Sequence, residues 1–286
     1  MRIVKRSLTS VLLGIALLSA GNALAVPVQL VYQSDPQFGN TTFLLSYDSL
    51  TDFANANSAS SVPTANNFAT GGYLAGFAYD GSQYHLVYQS DPQFGNTTFL
   101  LSYDSLTDFA NANSASSVPT ANNFATGGYL AGFTYDGSQY HLVYQSDPQF
   151  GNTTFLLSYD SLTDFATANS ASSVSTANNF ATGGYLAGFT YDGSQYHLVY
   201  QSDPQFGNTT FLLSYDSLAD FANANSASSV PTANNFATGG YLAGFNATIP
   251  GLAAPEPLTL AMLLLGLGGV CISRRRVALA KNGRSS

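Results

Sequence analysis

Apolar and polar positions alternate along this chain in short runs, and the runs recur. The string LVYQSDPQFGNTTFLLSYDSL opens at Leu30 and again at Leu86, Leu142 and Leu198, a strict period of 56 residues. Each period contains four strand-like segments. The first two, GYLAGFTYDG and SQYHLVYQS, meet at an Asp-Gly pair such as Asp136-Gly137. Asp-Gly between alternating apolar runs predicts a type I′ hairpin. The third is TTFLLSYD, where Phe43, Leu45 and Tyr47 share one face and Leu44 adds apolar surface to the other. The fourth is short and lies near SSVPTANNF, after a small, polar, low-complexity stretch, ANANSASS, that reads as a loop. Strands with apolar residues on both faces need cover on both sides.

The phase of the repeat carries topological information. Every segment type occurs four times, but the Tyr-Asp-Gly turn occurs only at Asp80, Asp136 and Asp192. The chain therefore opens inside a second strand, at 28–32, and ends on a first strand, at 240–245. Pairing of those ends would close a ring and hide two sheet edges. The expected fold is all-β: a small four-bladed β-propeller over residues 26–250, with repeats starting at 30, 86, 142 and 198. An open β-array is the alternative.

Charge is segregated. All eight basic residues lie in the terminal segments, and 26–254 holds fifteen Asp, three His and no Lys, Arg or Glu. A body with formal charge near −15 repels phosphate backbones, which excludes nucleic acid as a partner. With 20 Phe and 18 Tyr the acidity does not signal disorder. Trp is absent, so Phe, Tyr and Leu must fill the core.

Both ends read as addresses. Residues 1–25 have the form of a secretory signal peptide: Arg2, Lys5 and Arg6, an apolar stretch from Val11 to Ala20, and a cleavage site at Ala23 and Ala25. An uncleaved anchor helix is the alternative. Residues 251–286 contain Pro255-Glu256-Pro257, an apolar run over 258–272, then Arg274, Arg275 and Arg276. Fifteen residues as a helix reach about 22 Å, and snorkelling arginines extend that toward the roughly 30 Å membrane core. By the positive-inside rule the arginines stay cytoplasmic. This series resembles the PEP-CTERM sorting domain, although the tail 277–286 runs on past the arginines. The resemblance implies an exosortase-like processing enzyme as partner, membrane contact through the helix before processing, and a Gram-negative host that makes exopolysaccharide. A plain C-terminal anchor is the alternative. In the repeats, YDSLTDF is similar to a kelch blade, with Phe53 in its aromatic place.

The candidate chemistry is sparse. His85, His141 and His197 occur once per repeat within strand-like segments, which predicts blade-surface or core positions. Asp48 and Asp52 are spaced like an acid–base carboxylate pair, but four equivalent pairs do not make one active centre. Asp48 is expected to serve as a turn or Asx cap. No catalytic or metal-ligating residue is assigned. Calcium is the one cofactor the Asp-rich body suits, although the D-x-D-x-D-G loop is absent. Asn-Thr-Thr at Asn40, Asn96, Asn152 and Asn208 matches a glycosylation sequon, which carries little weight in the bacterial host that the resemblance implies. Cys271 is the only cysteine, so no intrachain disulfide forms.

The expectation is an exported, non-enzymatic protein of the cell surface or exopolysaccharide matrix. Its repeated Tyr, Asn and Asp would offer several weak sites to extracellular polysaccharide. A purely structural matrix protein and a glycan-acting hydrolase are the alternatives.

Overall fold

The computed structural model describes residues 26–34, 41–65, 72–90, 95, 97–121, 128–146, 151, 153–177, 184–202, 207, 209–233 and 240–249. The signal-peptide segment, the sorting segment with its helix 258–272, and Asn40, Asn96, Asn152 and Asn208 lie outside the described residues.

Four antiparallel sheets of four strands form a four-bladed β-propeller. The chain enters through β1 (Val28–Ser34), β2 (Thr42–Tyr47) and β3 (Ser60–Pro63). Blade 2 follows as β4 (Gly72–Tyr79), β5 (Tyr84–Ser90), β6 (Thr98–Tyr103) and β7 (Ser116–Pro119). Blade 3 is β8 (Gly128–Tyr135), β9 (Tyr140–Ser146), β10 (Thr154–Tyr159) and β11 (Ser172–Ser175). Blade 4 is β12 (Gly184–Tyr191), β13 (Tyr196–Ser202), β14 (Thr210–Tyr215) and β15 (Ser228–Pro231). The last strand, β16 (Gly240–Ala247), returns to complete blade 1 beside β1.

The closure predicted from the repeat phase is present. β16 pairs antiparallel with β1, Leu30 facing Phe245 and Val31 facing Gly244. The same register recurs within the chain, where Leu142 faces Phe133 and Val143 faces Gly132. In each blade the innermost strand carries a bulge just before this glycine.

Both faces of each sheet are packed, and the apolar clusters lie between blades. Val28, Leu30, Tyr47, Phe53 and Phe245 of blade 1 pack with Val199 and Leu212 of blade 4. On the other face of blade 1, Val31 and Leu44 meet Phe77, Leu86, Tyr103 and Phe109 of blade 2. Leu44, the odd apolar residue of its strand in the sequence, is thus the inter-blade contact. In each cluster a tyrosine and a phenylalanine meet edge to face, as Tyr47 and Phe53 do at 5.3 Å and 89°.

The inner strands come very close. A methyl at Gly76, Gly132, Gly188 or Gly244 would lie 2.5–2.7 Å from a backbone or Cβ atom of Phe133, Phe189, Phe245 or Phe77 respectively, one blade further on. Only glycine leaves room for a contact this tight.

Sequence reading missed one element per blade. YDSLTDF is half strand end and half helix: α1 (Leu50–Ala54), α2 (Leu106–Ala110), α3 (Leu162–Ala166) and α4 (Leu218–Ala222). Ser49 caps α1, accepting from the Asp52 N–H at 3.0 Å and donating to Asp52 Oδ2 at 2.6 Å. At the other end the Ala56 N–H donates to Phe53 O and the Asn57 N–H to Asp52 O, a Schellman closure. Ala56 sits there at φ 60°, where glycine is the usual choice. Part of ANANSASS is therefore a helix ending rather than free loop. The helix buries Phe53 and offers Ala54 O to the Ala233 N–H of blade 4 at 2.7 Å. Equivalent bonds join Ala65 to Ala110, Ala121 to Ala166 and Ala177 to Ala222, completing the ring.

A second ring lies at the inner edges. The backbone N–H of Tyr191 donates to Thr134 Oγ1, that of Ala247 to Thr190 Oγ1, and that of Tyr79 to Asn246 Oδ1. At the fourth step the equivalent residue is Ala78, which has no side-chain acceptor to offer Tyr135. At the seam, Asn246 Nδ2 also donates to Gln29 Oε1 at 2.8 Å, both groups buried. Asn246→Ala removes one bond of that seam and one of the inner-edge ring, and is expected to cost about 1–3 kcal/mol. Ala78→Thr supplies the missing acceptor and is expected to add about 1 kcal/mol. Thermal unfolding of both variants checks this; a stabilised Asn246→Ala contradicts it.

Candidate functional site

The side-chain network repeated at the blade boundaries starts in the first hairpin. Asp80 Oδ1 accepts from the N–H groups of Ser82 and Gln83 and from Ser82 Oγ, all at 2.8 Å. Gly81 has φ 97°, and Asp80 is not at positive φ. The turn is therefore a hairpin, as expected, but not type I′ with Asp-Gly at its centre. Gly81-Ser82 occupies the centre because the Asp80 carboxylate takes N–H groups that a backbone carbonyl would otherwise receive.

Asp80 Oδ2 meets His85 Nε2 at 2.9 Å, and His85 Nδ1 meets Ser102 Oγ at 3.0 Å. The carboxylate can only accept, so Nε2 carries hydrogen; in the neutral ring Nδ1 then accepts from the serine hydroxyl. From the next blade, the Tyr140 hydroxyl donates to Asp80 Oδ2 at 3.0 Å. The set repeats as Asp136, His141, Ser158 and Tyr196. Asp192, His197 and Ser214 form the third copy, but Val28 stands where its tyrosine would be.

The sequence read each His as a blade-surface or core residue, and the structure places all three in the core. The Asp–His–Ser order resembles a hydrolytic triad in composition alone. His85 is 0 % exposed and Ser102 5 % exposed, and the tyrosine of the neighbouring blade occupies the aspartate. Placed so, the Asp80 and Asp136 networks each join two neighbouring blades.

Burial opposes the charge on Asp80, but hydrogen bonds from His85 and from the Gln83 and Ser82 N–H groups outweigh it and hold the carboxyl far below its ordinary value. Asp136 and Asp192 are held low by the same balance. Burial, and then the Asp80 charge, push the Tyr140 hydroxyl up, so it remains a donor.

The carboxylates whose spacing matches an acid–base pair take separate partners. Asp52 and its copies bind their helix-capping serines. In blades 2–4 the copies of Asp48, namely Asp104, Asp160 and Asp216, accept from Gln83, Gln139 and Gln195 at 2.6 Å. Among the described residues no group of three or more His, Cys, Asp or Glu could hold a metal ion. The sorting residues Pro255, Glu256, Pro257, Arg274, Arg275 and Arg276, and the cleavage residues Ala23 and Ala25, lie outside the described residues.

At the opposite end of the blades a different pair recurs. Tyr32 stacks on Phe43 with ring centroids 6.3 Å apart, and Tyr88–Phe99, Tyr144–Phe155 and Tyr200–Phe211 repeat this at 6.2–6.3 Å. All eight rings are half-buried. The chain matches no family model and no curated protein.

The depressed aspartates fix an acid response. A folded-state pKa below the unfolded value near 3.8 contributes stability that is fully present above that value and is lost as pH falls through the folded value. The unfolding midpoint should hold from pH 7 to about 5 and then drop steeply below about pH 4. Asp136→Asn should lower stability at pH 7 by about 1–3 kcal/mol and flatten the acid limb. Thermal scans of both proteins between pH 2 and 7 check this; parallel acid limbs contradict it.

Proposed function

We propose that this chain is an exported, non-enzymatic protein of the cell surface or exopolysaccharide matrix, and that its propeller binds carbohydrate at four equivalent places. The stacked Tyr–Phe pair, repeated once per blade on half-buried rings, carries the reading. Flat aromatic surface beside polar groups suits the apolar faces of sugar rings. One such place binds weakly, and four on a rigid ring gain by simultaneous engagement of a polymer. With formal charge near −15 on the body, the ligand is a neutral or amino-bearing glycan, not a polyanionic one.

Export and sorting rest on the ends of the sequence. The signal-peptide pattern of 1–25 and the PEP-CTERM resemblance of 251–286 support transfer out of the cytoplasm and processing by an exosortase-like enzyme in a Gram-negative host. Before processing the 258–272 segment holds the chain in the membrane. Among the described residues no helix is long and apolar enough to cross one.

Mass spectrometry of the surface protein should find Val26 as first residue and a C-terminus close to Pro257. Intact Arg274–Arg276 on all of the protein would leave a plain anchor instead. On a glycan array, neutral polysaccharides should be retained and Tyr88→Ala with Tyr144→Ala should weaken retention at least tenfold. An array without binders would favour a purely structural matrix role, and turnover of a polysaccharide would favour a hydrolase.

A further inference from the structure

The outermost strand of each blade is exposed along its whole length, including its valine: Val62, Val118, Val174 and Val230 are 41–44 % exposed. These strands are open sheet edges, and an open edge is a template for another strand. The register shows which groups face outward. Thr176 N–H donates to Thr154 O, and Val174 faces Leu156, so residues 172, 174 and 176 turn their backbone groups inward to β10. Ser173 and Ser175 therefore turn theirs outward. In the other three blades the residue equivalent to Ser175 is Pro63, Pro119 or Pro231, which has no N–H at that position. Three edges are blocked at an outward-facing backbone position, and the edge of blade 3 is not.

We propose that the β11 edge of blade 3 pairs with the β11 edge of a second copy of this chain. An antiparallel pair about a two-fold axis is self-complementary, so one open edge per chain gives a closed dimer rather than a fibre. With the axis at Val174, Ser173 of each copy faces Ser175 of the other as a hydrogen-bonded pair, making about four backbone bonds. Val174 then faces its own counterpart as the close, non-hydrogen-bonded pair, which covers both exposed valines. A proline in place of Ser175 deletes about two of those four bonds. Charge favours this occupant as well. No charged residue lies between Asp164 and Asp192, so the edge strand and its flanking sequence add no charge of their own to oppose a second copy. A four-residue contact is small beside ordinary stable interfaces, and it gains force where copies are crowded on one surface. This inference is independent of the carbohydrate reading.

The test is sedimentation equilibrium of the full chain in a mild detergent, with amide exchange read at low and high protein concentration. The unaltered chain should dimerise reversibly, with the Ser173 and Ser175 amides slowing as concentration rises. Ser175→Pro, a residue the other three blades already accommodate, should weaken association at least tenfold. Ser175→Ala keeps the N–H and should associate like the unaltered chain. Pro119→Ser opens a second edge and should drive species larger than dimers. Equal association of the unaltered chain and Ser175→Pro overturns the proposal. So does a monomer at every concentration with both amides exchanging fast, which would leave the edge to a strand from another protein.

Discussion

Each sheet of this protein is apolar on both faces, and a four-stranded sheet of that kind buries nothing by itself. The buried clusters accordingly belong to boundaries: Leu44 of blade 1 is buried only because Phe77 and Phe109 of blade 2 stand against it. Four blades need four boundaries, and the fourth exists only if β16 reaches β1. The ring is thus the unit of stability, and its closure rests on strand pairing rather than on a covalent link. The substitutions near the chain ends answer to this. Gln29 stands where the other copies have His and Asn246 where they have Thr or Ala, and the two bond to each other across the seam.

Two further rings tighten the same boundaries. At the inner edges, side chains of one blade accept N–H groups of the next, which are otherwise unpaired sheet-edge donors. At the outer ends, backbone bonds run from just after the fourth strand to the end of the neighbouring helix. The Asp–His–Ser sets add a third link, with a tyrosine crossing the boundary at blades 2–3 and 3–4 only. Neither boundary of blade 1 has this tyrosine–aspartate pair, because Val28 and Thr248 occupy the places of Tyr and Asp. Between blades 1 and 2 a side-chain bond is supplied instead by Asn246, whose Oδ1 accepts from the Tyr79 N–H.

What the sequence made legible was whatever depends on repetition. Blade number, strand order and the pairing of 241–245 with 28–32 all follow from counting four strand segments against three turns. The helix stayed hidden for local reasons. Five residues are too few to show a helical period, and its C-terminal signal is disguised because Ala56 occupies the left-handed position that glycine usually marks. Ser49 and Asp52 were a readable capping pattern, but an acid–base pairing of Asp48 with Asp52 competed for the same residues. The clamp was legible only in part. One histidine per repeat was visible, but its partners Ser102 and Asp80 lie 17 and 5 residues away and become neighbours through strand register. The Tyr140 bond crosses 60 residues and could not be read from any one repeat.

The tightness of the ring also constrains where a ligand can sit. The four innermost strands touch around the axis through the glycine–phenylalanine contacts, and diagonally opposed ones come within 8 Å, Cα to Cα. Larger barrels and propellers can use a central space for a ligand; here backbone fills it at the level of these contacts. The blade boundaries are filled by the apolar clusters, and at blades 2–3 and 3–4 also by the aspartate–histidine clamps. What is left to a partner is the rim and the two ends, and those surfaces recur with the repeat. A ligand reading for such a body is therefore naturally multivalent, since anything that fits one blade finds nearly the same surface on the next. The exception is the place where the copies differ in an outward-facing backbone group. Of the internal differences, Ala78 against Thr134 acts at the inner edge and Ser175 against Pro63 at the outer one, whereas nothing in the structure explains Ala219. A single substitution at an otherwise repeated edge gives a fourfold body one unique side, which repetition alone cannot supply.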